Sequence, residues 1–167
     1  PALNVLGADY EEDRGVALLK YLNYVVALGE STIQIFYDAG LQFGSPLKPY
    51  LNANARIGCC NKYSAMRVGN NIVWLSQTAE RRWQVMVLDG ISPKAISTPY
   101  IEKILERQAF ALSLARGFVI EVPGHLFYGL AFDIGGVASY SLVYDFSSGE
   151  WMEWSKASGA PVFYSGA

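Results

Sequence analysis

Residues 63–96 read YSAMRVGNNIVWLSQTAERRWQVMVLDGISPKAI, and this stretch decides the fold. Residues 64–68 form a β-rich run that ends on Gly69-Asn70-Asn71, where Gly and Asn tolerate the positive φ of a tight hairpin turn. Residues 72–76 return, a polar loop occupies 77–82, and 83–88 run on to Asp89-Gly90, a second hairpin signal. Residues 94–96 close the unit as a short last strand. Runs of four to eight apolar, β-branched and aromatic residues between Gly, Asn and Asp clusters are antiparallel strands.

The same grammar extends outward in both directions. Upstream, residues 16–22 lead into Asn23, residues 24–28 resume the apolar run before Gly29-Glu30-Ser31, and residues 32–37 end at Asp38-Ala39-Gly40. Downstream, residues 112–122 meet Pro123-Gly124, residues 125–132 return, and residues 139–144 turn through 145–149 into 150–154. Equivalent strands centred on Val25, Ile72 and Phe127 recur at a spacing of roughly 50 residues, the period of four-stranded propeller blades. A plain sandwich also gives frequent strands, but with less regular recurrence. The expected fold is all-β: propeller-like antiparallel blades, about three in this chain, as part of one domain over residues 1–167. The units fall at about 15–40, 56–98 and 108–155, with residues 43–55 as a long connector between the first two. Residues 162–164 have the makings of a late strand opening a fourth unit.

One short inserted helix is expected over residues 99–107. Thr98 can cap it, Pro99 suits the first helical position because its missing N–H is not needed there, and Ile101, Ile104 and Leu105 share one face. Glu102 and Glu106, beside a Lys and an Arg, read as its solvated outer face.

Composition bounds the function. Of 167 residues, 51% are hydrophobic and 17% charged, which favours an ordered, packed chain over a disordered one. The 14% aromatic share, eleven Tyr among it, suits half-buried pleated sheets. A net charge of −2 offers no general attraction for phosphate backbones or anionic membranes, so sequence-independent nucleic-acid binding is disfavoured as the main task. Cys59 and Cys60 are adjacent and have no metal or redox spacing, and the expectation is two reduced packing residues, in keeping with assembly in a reducing cytoplasm. No apolar run reaches membrane-spanning length, and no signal peptide is expected from the opening residues. The chain opens on Pro1 rather than Met and reads as a piece of something longer.

Catalytic chemistry has little to work with. His125 is the only His, so any Ser-His-Asp or Cys-His arrangement depends on it, and its place directly after a Pro-Gly turn favours a hairpin-end residue. Zinc sites built from several His or Cys are excluded by count, and no phosphate-binding glycine loop, dinucleotide fingerprint or calcium loop is present. The expectation is a non-enzyme with no cofactor and no metal.

Several stretches resemble the tail hub or nozzle proteins of short-tailed bacteriophages, among them the packaged-DNA stabilisation proteins of enteric phages. They are Asn71-Ile72-Val73-Trp74-Leu75-Ser76-Gln77, residues 85–90, and Ile96-Ser97-Thr98 before the helix. Upstream they continue in Gly29-Glu30-Ser31-Thr32-Ile33, Phe36-Tyr37-Asp38-Ala39-Gly40 and Gly44-Ser45-Pro46. Downstream they continue in Gly124-His125-Leu126-Phe127-Tyr128, Val143-Tyr144-Asp145 and Gly149-Glu150-Trp151. The likeness runs from about residue 13 to about residue 153, with departures at Pro99, where such proteins often carry His, and at Trp151-Met152-Glu153, which replaces a more basic ending. It implies a β-propeller-like virion protein of the tail, assembled in the host cytoplasm as a ring, usually of six copies. Such a ring sits below the portal complex, touches portal or adaptor and other tail proteins, and extends or plugs the DNA channel. It implies that packaged DNA passes without specific binding, and that no membrane is involved.

Under that reading, the acidic run Asp9, Glu11, Glu12 and Asp13 is either a solvated loop or a lumen-facing one that keeps the duplex from sticking. Subunit contacts are expected at Pro46, Pro49 and Tyr50 in the connector, at Tyr100 on the helix, and at Trp151 and Trp154. Trp74 and Trp83 belong to the core, whereas Trp151 and Trp154, three apart in a strand, point to opposite faces. The alternative is a glycan-binding β module of a virion protein, which would use an exposed Trp as its stacking platform.

Overall fold

The structure, a computed structural model, describes residues 12–41, 45–78, 80, 82–132 and 141–155. Three four-stranded antiparallel sheets follow one another along the chain, each with its strands side by side in chain order. The first holds β1 (Gly15–Tyr21), β2 (Tyr24–Gly29), β3 (Ile33–Asp38) and β4 (Leu47–Pro49). The second holds β5 (Met66–Val68), β6 (Asn71–Gln77), β7 (Trp83–Asp89) and β8 (Ser92–Ala95). The third holds β9 (Arg116–Val122), β10 (His125–Ala131), β11 (Ser141–Asp145) and β12 (Glu150–Trp154). These are the propeller-like blades expected from the strand grammar. The turns fall where Gly and Asn cluster: Gly69 and Gly90 adopt φ of 58° and 66°, open to glycine because it lacks a Cβ.

The alternation of side chains explains the stacking. In the first sheet Leu19, Tyr21, Val26, Leu28, Ile33 and Ile35 share a face that packs against Ile72, Trp74, Met86 and Leu88 of the second. The opposite face of the second sheet sends Val68, Val73, Leu75, Val85 and Val87 against Tyr128, Leu130 and Leu142 of the third. Both faces of β6 and β7 are therefore buried, which is why their sequences read as nearly unbroken apolar runs. A third apolar cluster lies on the far face of the third sheet, formed by Phe118, Ala131 and Val143 with Ile120, Phe127, Met152 and Trp154 around them. Phe118 lies over its register partner Gly129, where an added Cβ would collide with the ring.

Helix α1 (Pro99–Arg107) starts as the sequence implies, with Thr98 Oγ1 accepting from Ile101 N at 3.4 Å and Pro99 in the first turn. Its buried face of Ile101, Ile104 and Leu105 joins the core between the second and third sheets.

Three details differ from the sequence reading. The expected connector over 43–55 contains β4, whose Leu47–Pro49 pairs with Phe36, Tyr37 and Asp38. The segment expected to begin a strand at residue 112 is a 3-10 helix over Ala109–Leu114, and β9 starts only at Arg116. Glu102 is not on a solvated face: its Oε1 accepts from Gln84 Nε2 at 2.9 Å and Ser97 Oγ at 3.1 Å, because α1 lies along β7.

The links between sheets are stitched by polar groups as well as by packing. Ala55 bridges Ile33, Cys59 N donates to Gly29 O at 2.7 Å, and Cys60 N donates to Leu75 O at 3.0 Å. Gly58 O accepts from Trp74 Nε1 at 3.0 Å. Residues 55–60 thus lace the first sheet to the second. A Cβ on Gly58 would run into the Glu30 carbonyl, a backbone group that cannot step aside. Between the second and third sheets, Tyr128 Oη donates to Ser64 O at 2.8 Å, and Ser64 Oγ accepts from Leu75 N at 3.1 Å.

Candidate functional site

The residues singled out in the sequence divide into those spent on the fold and those left at the surface. In the acidic run, Asp9 and Glu11 lie outside the described residues, and Glu12 is exposed. Asp13 is committed locally: its Oδ2 accepts from Ser31 N at 2.9 Å, Thr32 N at 2.8 Å and Thr32 Oγ1 at 2.9 Å, closing the turn between β2 and β3. Burial works to raise this carboxyl, but the hydrogen bonds from Ser31 and Thr32 outweigh it and hold the group below its usual 3.8.

The connector residues behave unequally. Pro46 and Pro49 are exposed, with Pro49 in the edge strand β4, where a missing N–H is tolerated. Tyr50 is half-buried, stacked edge-on against Tyr24 and Tyr37 at 6.3 and 6.2 Å, and its N–H donates to Ile35 O at 2.7 Å. Tyr100 is 66% exposed on α1. Trp74 is fully buried and Trp83 packs against the core between the second and third sheets.

Trp151 and Trp154 do point to opposite faces. Trp151 turns inward, donating its Nε1–H to Ile96 O at 2.8 Å and lying 5.2 Å from Tyr144. Trp154 lies on the far face of the third sheet, 5.3 Å from Phe127.

His125 opens β10, and its Nδ1 lies 2.7 Å from Asp145 Oδ2. A carboxylate only accepts, so the ring proton sits on Nδ1. The ring stacks on Phe127 at 5.6 Å with an interplanar angle of 6°. Ser148 Oγ donates to the same Asp145 oxygen at 3.2 Å, and Ser147 N donates to Oδ1 at 2.8 Å. A nucleophilic triad needs the Ser proton to face the His; here Ser and His converge on one carboxylate, the pattern of a turn clasp. Sequence reading placed His125 at a hairpin end but could not pair it with Asp145, 20 residues away.

Burial works to raise the Asp145 carboxyl, but the bonds from Ser147, His125 and Ser148 hold it below the usual 3.8. A carboxyl lowered in the folded state stabilises the fold fully above its unfolded pKa, and that contribution is lost as pH falls through the folded value. We expect urea midpoints to decline as pH drops from about 5 downward, and the Asp145→Asn variant to show a shallower acid limb. Equal slopes for the two proteins would refute the clasp.

The cysteines are free, and burial pushes both thiols up, Cys60 to about 12 with a further push from Cys59. Such thiols stay protonated and inert at neutral pH. Among the described residues no group of three or more His, Cys, Asp and Glu gathers to hold a metal ion, and no helix is long and apolar enough to cross a membrane.

What the sequence could not disclose is Asn61. Its Nδ2 lies 3.1 Å from Leu112 O, 3.1 Å from Ser113 O and 2.6 Å from Ala115 O, while its Oδ1 accepts from Tyr63 N at 2.8 Å. This buried amide pins the start of the second sheet to the segment that feeds the third.

The arrangement can hold three sheets in fixed relation. No curated protein matches the chain. Residues 1–125 match the phage-stabilise family, described as Bacteriophage P22 Gp10, beta-propeller. With most of its length matched, and with blades of the kind that description names, the chain belongs to this family of phage stabilisation proteins.

Proposed function

We propose that this chain is a wall segment of the phage tail conduit, in a ring that extends or plugs the DNA channel below the portal and holds the packaged genome in place. Membership of the family carries a structural role in the phage particle, that of DNA stabilisation. The observation that supports the mechanical reading best is the double burial of the second sheet. Its strands β6 and β7 are sealed on both faces by neighbouring sheets, and the connectors are laced by backbone hydrogen bonds. Stacked sheets that bury one another's faces transmit load without a hinge.

In this proposal the chain's self-contacts close a ring, six copies being the expected number. The surface groups Pro46, Pro49 and Tyr100 then face subunits, portal or adaptor proteins. DNA passes without specific recognition, which the net charge of −2 favours. The role requires no catalysis, and the His125–Asp145–Ser148 clasp is consistent with that.

Two images test the reading. Gold-labelled antibody against the chain should mark the tail of phage particles directly below the portal vertex, and purified protein should form rings in electron micrographs without added ligand. Label spread over the capsid, or absent from particles, rejects the location. Protein that stays monomeric at high concentration rejects the ring.

A further inference from the structure

Each sheet has two edge strands, and the three that come last in their sheets along the chain, β4, β8 and β12, are not protected alike. An unpaired strand edge is a template for another chain, and natural proteins blunt it with Pro and Lys. β4 reads Leu47-Lys48-Pro49 and β8 reads Ser92-Pro93-Lys94-Ala95, so each carries both residues. β12 reads Glu150-Trp151-Met152-Glu153-Trp154 and carries neither. Among the described residues its one strand partner in the sheet is β11.

A cleft of about 490 Å³ runs beside that edge, lined by Gly149, Glu150, Trp151, Met152 and Glu153 and by Thr98, Tyr100 and Ile101 at the start of α1. Side chains alternate between faces along a strand, so a cleft lined by five consecutive residues follows the backbone edge rather than a face. Its inner wall is held in place: Trp151 is tied to Ile96 O, and Tyr100 Oη donates to Glu153 Oε1 at 3.4 Å. Among the described residues the lining carries two carboxylates, Glu150 and Glu153, and no basic side chain. Glu153 shares the Trp151 face, toward α1, and Glu150 the other.

We propose that the β12 edge is a strand-addition site: an extended segment of a partner polypeptide, with Lys or Arg along it, lies in the cleft as a fifth strand of the third sheet. Backbone hydrogen bonds to β12 supply the affinity, Tyr100 and Trp151 give apolar contact, and Glu150 and Glu153 select a basic segment over an acidic one. The inference stands on this edge alone and does not require the ring or the conduit.

The probe is a fluorescent peptide of alternating Lys and Val, about eight residues long, the span of an ordinary strand. Titrated into the full isotope-labelled chain, it should shift the amides of residues 149–154 and of Tyr100 in a saturable way. Methylating the alternate peptide nitrogens that would face β12 should weaken binding by at least about tenfold, since those groups can then no longer donate. Reversing both surface charges, Glu150→Lys with Glu153→Lys, should weaken it by about tenfold, and an alternating Glu-Val peptide should not bind. The altered groups are at the surface, and an unchanged circular dichroism spectrum checks that the variant folds. Methylated peptide binding as well as the parent, indifference to the charge reversal, shifts centred elsewhere, or no saturation at millimolar peptide would each overturn the site. None of these outcomes bears on the rings or the tail labelling.

Discussion

Replacing Trp74 by alanine is expected to cost about 3–5 kcal/mol of folding stability, the range for deleting a large buried aromatic. Trp74 is fully buried and lies in the core shared by the first and second sheets, among Ile72, Met86, Leu88, Leu28 and Ile35. Two terms add. The cavity forfeits contacts on both sheets at once, because the indole is part of their shared interface. Gly58 O also loses its indole donor, in a connector whose neighbouring Cys59 N is tied to Gly29 O. Trp74→Phe separates the terms: it keeps most of the ring volume and loses the N–H, for which a cost of about 1–2 kcal/mol is expected. Urea unfolding followed by far-ultraviolet circular dichroism measures both. A Trp74→Ala loss under about 1 kcal/mol would mean that the first and second sheets are not held together through this residue.

The ease with which the blades could be read follows from where burial falls. Asn-Ile-Val-Trp-Leu-Ser at 71–76 and Val-Met-Val-Leu at 85–88 are apolar on both faces because β6 and β7 are packed on both sides, and a Gly of positive φ marks one end of each run, Gly69 before the first and Gly90 after the second. Such strands announce themselves. β4 does not: it has three residues, two of them Lys and Pro, and its place is set by pairing with β3 rather than by its own pattern. The residues before β9 failed for a related reason. Leu112, Ser113 and Ala115 fit the start of a strand by composition, yet their carbonyls turn toward Asn61, more than fifty residues earlier in the chain, and the backbone coils to suit.

The same distance in sequence hid the site features. Asn61 drew no reading from the sequence, and His125 reads as a hairpin end; what each holds is visible only when remote strands are brought together. Trp151 and Trp154 were legible because strand alternation is local. The place of β12 at the end of its sheet among the described residues was not, since sheet order is not a property of the five residues themselves.

Asn61→Asp is the second large effect, and its sign with pH makes it the sharper test of how the sheets are joined. The wild-type amide presents donors to the carbonyls of Leu112, Ser113 and Ala115, and its two N–H groups are shared among the three oxygens. An aspartate there sets a negative oxygen against those oxygens at a site only 6% exposed. An ionised group buried against three carbonyl oxygens, with only Tyr63 N left to donate to it, costs about 3–5 kcal/mol, whereas Asn61→Ala, which removes the donors and the acceptor of Tyr63 N, should cost about 1–3 kcal/mol. Burial and the facing oxygens both favour the neutral acid, so the new carboxyl has a raised pKa in the folded state. The penalty is therefore greatest above that value and recedes as pH falls through it, when the protonated acid donates one bond again. Relative to wild type, Asn61→Asp should regain stability on acidification while Asn61→Ala should not, with both followed by urea titration at stepped pH. Amide exchange in Asn61→Asp should quicken first in residues 109–122, where the third sheet begins. A variant that loses no more than Asn61→Ala at neutral pH would show that water reaches the junction and that the sheets are held by packing alone.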